Sequence, residues 1–431
     1  MKTVKEEGVE MRMVERRKPL PVQDAIDKVM QLSFESETEI VTLRESDGRY
    51  LGVDLKSDHD VPPFDRSPYD GFAIRAEDTG EANQENPVRF KVIEEIGAGT
   101  VAKKTLHRGE AIRIMTGAPI PNGATAVIMF ELVREEVSDN TSYIYIKRKV
   151  KEGENISKQG EDAPRGKVLV ERGALVTPGV KALLATFGYG EVPVVKKPEV
   201  GLFATGTELL DPSDDLEPGK IRNSNSPMIE GQIKAAGAKP KYYGVLEDDF
   251  EKCFSSVKHA LDHVDILITT GGVSVGDYDY MPRIYEKLGA TVLFNKVGMR
   301  PGSVTTVAEW NGKILFGLSG NPSACFVGFE LFVRPILKRA LYSKTPYRLK
   351  SKALLQKDFP KPNPYTRFVR SKTEEVEGRI HVSPTGLDKS GSVTSLVEAN
   401  ALTVLPGGTR GFKAGDVVDI LHLREEGSSH P

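Results

Sequence analysis

Three short segments carry the residue types that chemistry on a charged ligand needs. They are Ala204-Thr205-Gly206-Thr207-Glu208, the run Thr269 to Asp279 (TTGGVSVGDYD), and Gly317 to Ser323 (GLSGNPS). Each follows an apolar run, so each is expected at the end of a strand. Small residues such as Gly271, Gly272, Ser274 and Gly276 let backbone N–H groups converge on an oxyanion. Ser319, Gly320, Asn321, Pro322 and Ser323 run into a helix, whose N-terminal N–H groups and dipole favour anions. A single glycine-rich loop is more often only a tight turn, with Asn321 or Ser323 as a cap. Two such loops in one sheet, beside a third strand end bearing Glu208, favour a site. No G-x-G-x-x-G opens a helix and no G-x-x-x-x-G-K-[ST] occurs, so the dinucleotide and phosphate-loop fingerprints are excluded.

Carboxylates gather at the same places: Glu208, Asp248, Asp249, Asp277 and Asp279. Asp277 and Asp279 would point to one side of an extended backbone. Oxygen ligands of this kind suit Mg²⁺, which takes one or two carboxylates and completes its shell with phosphate oxygens and water. Asp248 and Asp249 precede a helix opened by Phe250, where capping and a site role are equally open. His259 and His263 stand four apart, but between Lys258 and Asp262 they read as a solvated helix face. Farther upstream, Pro62 to Ala73 (PPFDRSPYDGFA) mounts two aspartates and Arg66 on a proline-stiffened loop. The alternative there is a buried salt bridge between Arg66 and an aspartate. Thr116, in RIMTGAP, and Asp162, in GEDAP, add polar groups in turns.

The elements that must hold these loops follow from periodicity. Val22, Ala25, Ile26, Val29 and Met30 make one apolar stripe, predicting a helix over Pro21 to Leu32. From Phe72 to about Val150 short alternating runs between Gly, Pro and Asn turns read as β. From Val200 onward strands alternate with amphipathic helices, closing with a long helix over Ala324 to Leu341. That pattern predicts a doubly wound, mostly parallel α/β sheet, whose ligands bind at the strands' carboxyl ends. After Ser343 the period returns to two, predicting a small C-terminal β domain. The fold class is therefore α/β plus β: a central α/β domain flanked by β-rich domains, the last barrel-like.

The chain has 431 residues, about three domains' worth. Its 59 Lys+Arg and 61 Asp+Glu leave a net charge of −2, with no basic stripe for nucleic acid. Two cysteines, Cys253 and Cys325, cannot build a disulfide framework, which suits a reducing cytoplasm. No run approaches the ~18 apolar residues of a membrane span. The charged N-terminus lacks the apolar core of a signal peptide, and residues 1–18 read as a mobile extension.

Six ordered segments together resemble the molybdopterin molybdenumtransferase family, which is related to the gephyrin E domain. They are PPFDRSPYDGFAIR (62–75), RIMTGAPIP (113–121), GEDAP (160–164), FATGTEL (203–209), TTGGVSVGDYDY (269–280) and LSGNPSA (318–324). The resemblance implies insertion of molybdate or tungstate into adenylylated molybdopterin, with Mg²⁺-dependent release of AMP. It implies a homodimer whose N-terminal dimerisation domain is discontinuous, over 19–65 with 160–198. It also implies a β-rich domain over 66–159, an α/β molybdopterin-binding domain over 199–345 and a C-terminal β domain over 346–424. By motif position Asp70, Thr116, Asp162, Glu208, Asp248 and Asp279 match the family's functional polar residues, with Glu208 and Asp279 as metal ligands. Lys296 and Arg300 match its basic pair, and Arg367 and Ser392 its anion-binding groups in the last domain. The family usually has proline where this chain has Ser319, and often lysine in place of Arg300. Two other readings stay open: a molybdopterin adenylyltransferase, which shares the α/β domain, and a non-catalytic gephyrin-like scaffold.

Overall fold

The computed structural model of the chain describes residues 18–32, 34–272, 280–362 and 364–423. It divides into two compact units. One comprises residues 1–52, 173–177 and 191–431; the other comprises 53–172 and 178–190.

The first unit is built on a six-stranded sheet. Its strands are β1 (Glu199–Thr205), β2 (Lys239–Leu246), β3 (Ile266–Thr270), β4 (Thr291–Phe294), β5 (Thr306–Trp310) and β6 (Lys313–Leu318), in the order β2-β1-β3-β6-β5-β4. The first four in that order run parallel, and β5 and β4 extend the sheet antiparallel. Helices α1 (Asn225–Ala236), α2 (Phe250–Leu261) and α3 (Met281–Leu288) alternate with the strands. Successive strand residues face opposite sides, so two cores form. Leu202, Ile268 and Phe316 pack with Ile229 and Ile233 of α1. Phe203, Leu267 and Leu315 pack with Val257 of α2 and Ile284 of α3. Each such buried side chain contributes about 1.5–3 kcal/mol, which makes the sheet a stiff platform for its loops.

β1 leads through α1 to β2 on one side, while β2 leads through α2 to β3 on the other. The switch between β1 and β3 is where an open α/β sheet offers a crevice. The predicted helix over Ala324 to Leu341 is one continuous helical run with a π turn inside it. It comprises Pro322–Gly328, Phe329–Val333 and Arg334–Ala340. The π turn carries Glu330 into the interior, where it accepts from Gln232 at 2.7 Å and from Arg348 at 2.8 Å.

The C-terminal strands Lys350–Leu355, Thr366–Val376, Arg379–Pro384, Ala401–Leu405 and Val417–His422 close into a five-stranded barrel. A two-residue strand, Met299–Arg300, adds to it in parallel, setting Arg300 beside Arg367. The first of the barrel strands, Lys350–Leu355, escaped the sequence reading. Its KSKALL sequence alternates too weakly to mark a strand.

The second unit holds another six-stranded sheet. Its order is Ala126–Met129, Gly71–Ile74, Glu110–Ile114, Val88–Ile96, Thr141–Ile146 and Val133–Ser138. Phe72, Phe90 and Ile128 fill one face, and Ala73, Ile112 and Val127 the other. Gly71 has to be glycine, because a Cβ there would sit 2.1 Å from the Ile128 carbonyl oxygen. This close approach places Asp70 at the strand's entrance. Among the described residues no helix is long and apolar enough to cross a membrane.

Candidate functional site

Three motif segments meet in the second unit. The Ser67 N–H donates to Ala118 O at 3.0 Å and the Gly117 N–H to Ser67 O at 2.8 Å, joining the proline-rich loop to RIMTGAP. The Asp162 N–H donates to Val61 O at 3.1 Å and brings in the GEDAP turn. Asp70 accepts from the Thr116 N–H at 2.7 Å and from its Oγ1 at 2.8 Å. These bonds, the backbone one first, hold the Asp70 carboxyl below its ordinary 3.8. Asp70, Thr116 and Asp162 are all exposed. Arg66 is exposed too, so a buried salt bridge there is not what stiffens the loop. Asp65 instead accepts from Lys158 Nζ at 2.8 Å and from the Gln159 N–H at 2.9 Å, and its carboxyl is lowered accordingly.

In the first unit the strand-end turns converge at the switch point. Gly271 and Gly272 lie against Thr205, and the Gly271 N–H donates to Leu318 O at 2.9 Å. A Cβ on Gly320 would be 3.5 Å from Gly271 Cα, so the third loop leans on the second. Asn225, the first residue of α1, secures it by donating from Nδ2 to Gly320 O at 2.7 Å. Together the ends of β1, β2, β3 and β6 surround a cavity of about 490 Å³. Thr205 to Glu208, Glu247, Asp248, Gly271, Gly272, Tyr280 and Gly320 line it.

The acids of this cavity separate by role. Asp249 caps α2, accepting from the Lys252 N–H at 2.9 Å, whereas Asp248 faces the cavity. The Asp248 carboxylate beside the Tyr280 hydroxyl raises the phenol above its ordinary value. Glu208 folds its carboxylate over Gly206, where a methyl would sit 2.5 Å from Oε2. Cys253 also lines the cavity, but its thiol donates to Glu247 O and burial raises it, so it stays S–H. Asp277, Asp279, Ser274 and Gly276 lie outside the described residues. Among the described residues no group of three or more His, Cys, Asp or Glu could hold a metal unaided. Glu208 and Asp248 still fit Mg²⁺, an ion that draws its remaining ligands from phosphate and water. His259 and His263 are exposed, with His263 Nδ1 2.8 Å from His259 O, as a solvated face requires.

A second cavity, of about 300 Å³, lies on the other side of the Gly317–Ser323 loop: Gly320 borders the first, while Ser319 and Asn321 border the second. Its wall includes Arg300, Pro301, Arg367, Arg370, Asp388 and Ser390. Lys296 is half-buried in the turn that leads to Arg300, its carbonyl accepting from the Leu20 N–H at 3.0 Å. The donors expected at the helix start are partly taken. The Ser323 N–H donates to Ser390 O at 2.9 Å, Ser323 Oγ to Ser392 O at 2.6 Å, and the Asn321 N–H to Ser319 Oγ at 3.2 Å. Pro322 has no N–H to give. Anion attraction on this side therefore falls to the arginines. Ser392 contributes a carbonyl that seats Ser323. Arg370 and Asp388 were not anticipated, because only the hairpin of strands Thr366–Val376 and Arg379–Pro384 brings these residues, 18 apart in the chain, together.

Three family models match successive stretches of the chain. Residues 20–188 match the family described as the MoeA N-terminal region (domain I and II). Residues 201–339 match a probable molybdopterin binding domain and 352–423 the MoeA C-terminal region (domain IV). The chain is 59% identical over 417 residues to a molybdopterin molybdenumtransferase of Bacillus subtilis (strain 168), covering 97% of each. It is 50% identical to one of Staphylococcus epidermidis, covering 95% of this chain and 96% of that one. Among solved structures it resembles the molybdopterin biosynthesis moeA protein of Pyrococcus horikoshii OT3. The TM-score is 0.81 at 35% identity, over 94% of this chain and 100% of the other.

Proposed function

The chain belongs to the molybdopterin molybdenumtransferase family, transferases of molybdenum-cofactor biosynthesis, and from that premise we propose how its two cavities divide the reaction. The larger cavity takes the nucleotide-linked end of adenylylated molybdopterin, and the smaller takes molybdate or tungstate. The observation that carries this reading is the shared wall: one loop, Gly317 to Ser323, borders both cavities. A dithiolene lying across it would face the oxyanion while its phosphates stay among the strand-end turns.

The chemistry asked of each side matches its residues. The pyrophosphate is met by the small residues Gly271, Gly272 and Gly320, which let backbone approach closely. Glu208 and Asp248, with Asp279, are the carboxylates we assign to Mg²⁺. When bound, Mg²⁺ supplies charge neutralisation of the phosphates and polarisation of the P–O bond that breaks. Tyr280 lies beside Asp248 on the same wall. On the other side Arg300 and Arg367 present guanidinium groups to a tetrahedral dianion. A homodimer, a cytoplasmic setting and the five-segment division read from the sequence belong to the same proposal.

Single-turnover reaction with adenylylated molybdopterin tests the reading. Glu208→Gln is expected to slow AMP release by about 100-fold or more, the scale of losing one electrostatic stabiliser, while pterin binding survives. AMP release at the wild-type rate would contradict the assignment of Glu208.

A further inference from the structure

The floor of the smaller cavity holds an ion cluster that the reaction as described leaves unexplained. Asp388 accepts from Arg367 Nη1 at 2.6 Å and from Arg370 Nη1 at 3.3 Å. Its side chain is 11% exposed and that of Arg370 only 1%. Arg370 spends its remaining donors on the structure around it: Nη2 donates to Leu387 O and Lys389 O, both at 3.2 Å, and Nε to Ser395 Oγ at 3.3 Å. It is a fastener of the loop that carries Asp388, not a group held out to a ligand.

That loop closes the cavity. Its Ser390 and Ser392 carbonyls accept from Ser323, and a Cβ on Gly391 would lie 3.4 Å from Asn321 Oδ1. The loop is thus clamped at one end by a buried arginine of the barrel and at the other by the helix start. Arg367 sits on the barrel strand paired with Arg300 and is the cavity arginine that donates to Asp388 at 2.6 Å. An arginine's long side chain loses considerable rotamer freedom when it grips an anion. A carboxylate that has already fixed it removes that cost at the moment of binding.

We propose that Asp388 is a positioning residue for the oxyanion. It holds the Arg367 guanidinium at the cavity wall, while Arg370 fastens the loop Leu387 to Ser392 that shuts the cavity against Ser323. The proposal rests on the reading of this cavity as the molybdate site. It also gives the carboxylate a definite sign of effect. If Asp388 were only a rival anion for the arginines, its removal would tighten molybdate binding; as a positioner, its removal loosens it.

Titration calorimetry of sodium molybdate into the full chain decides the matter. Asp388→Ala is expected to raise the molybdate Kd by about 10-fold or more, the scale of orienting residues around bound ions. Asp388→Glu should recover part of the loss. Removing the carboxylate leaves a buried arginine without its counter-charge, so Asp388→Asn, which keeps volume and an acceptor, is measured alongside. In a variant shown to be folded by circular dichroism, a merely structural role would leave Kd unmoved. Unchanged or tighter binding in folded Asp388→Asn and Asp388→Ala overturns the proposal. Arg367→Ala separates the two levels. If it too leaves Kd unchanged, the cavity is not the oxyanion site and both readings fall; if it weakens binding while the Asp388 variants do not, only the positioning role falls.

Discussion

At the scale of single residues, the carboxylates sort by what donates to them. Asp70 is exposed, yet two donations from Thr116 keep it ionised below the ordinary range. A carboxyl whose folded pKa is depressed contributes stability that is complete above its unfolded value and is lost as pH falls through the lower folded one. For Asp70 that window lies below pH 3.8. Thr116→Val deletes the hydroxyl donor and spares the backbone one. The NMR titration midpoint of the Asp70 carboxyl is expected to rise part of the way towards 3.8 in this variant; an unmoved midpoint would mean the hydroxyl bond contributes nothing in solution. The same sorting shows what the sequence conceals. Asp248 and Asp249 are equivalent in one dimension, and only the start of α2 assigns Asp249 to the cap and Asp248 to the cavity. Asp388 carried no local signal at all, since its partners lie a β-hairpin away.

At the scale of elements, the strand-end turns were legible because an apolar run ending in glycines has few other uses. The parallel core of the sheet followed from strand–helix alternation, and the long closing helix predicted over Ala324 to Leu341 is found as the helical run from Pro322 to Ala340. The reversed direction of β5, which makes its pairings with β6 and β4 antiparallel, was not legible, for side-chain alternation is the same whichever way a strand runs. Nor was the π turn at Phe329–Val333, which is set by tertiary contacts of Glu330. Gly271 shows how tightly the turns are drawn. Its φ is +86°, and a Cβ would meet Thr205 Oγ1 at 2.7 Å and Thr205 O at 2.9 Å. Gly271→Ala should cost about 1–2 kcal/mol from the left-handed backbone alone, and more from the contact with Thr205. A urea midpoint that falls together with pterin affinity is the expected result. Full stability and full affinity would show that β1 and β3 are not packed this closely.

At the scale of the whole molecule, the six motif segments assemble into two groups, three within each compact unit. In the first unit the larger cavity and the basic one share the Gly317–Ser323 loop, and this adjacency is the centre of the account. It explains why the α/β sheet and the barrel are stitched together at that place, by the Met299–Arg300 strand and by Ser323. Tungstate stands in for molybdate as a heavier dianion of the same shape, and its tungsten atom can be located by anomalous diffraction. In crystals of the protein soaked with tungstate, the account predicts one dominant tungsten peak in the cavity between Arg300 and Arg367. A dominant peak among Thr205, Gly271 and Gly272 instead, with the arginine cavity empty of tungsten, would contradict it.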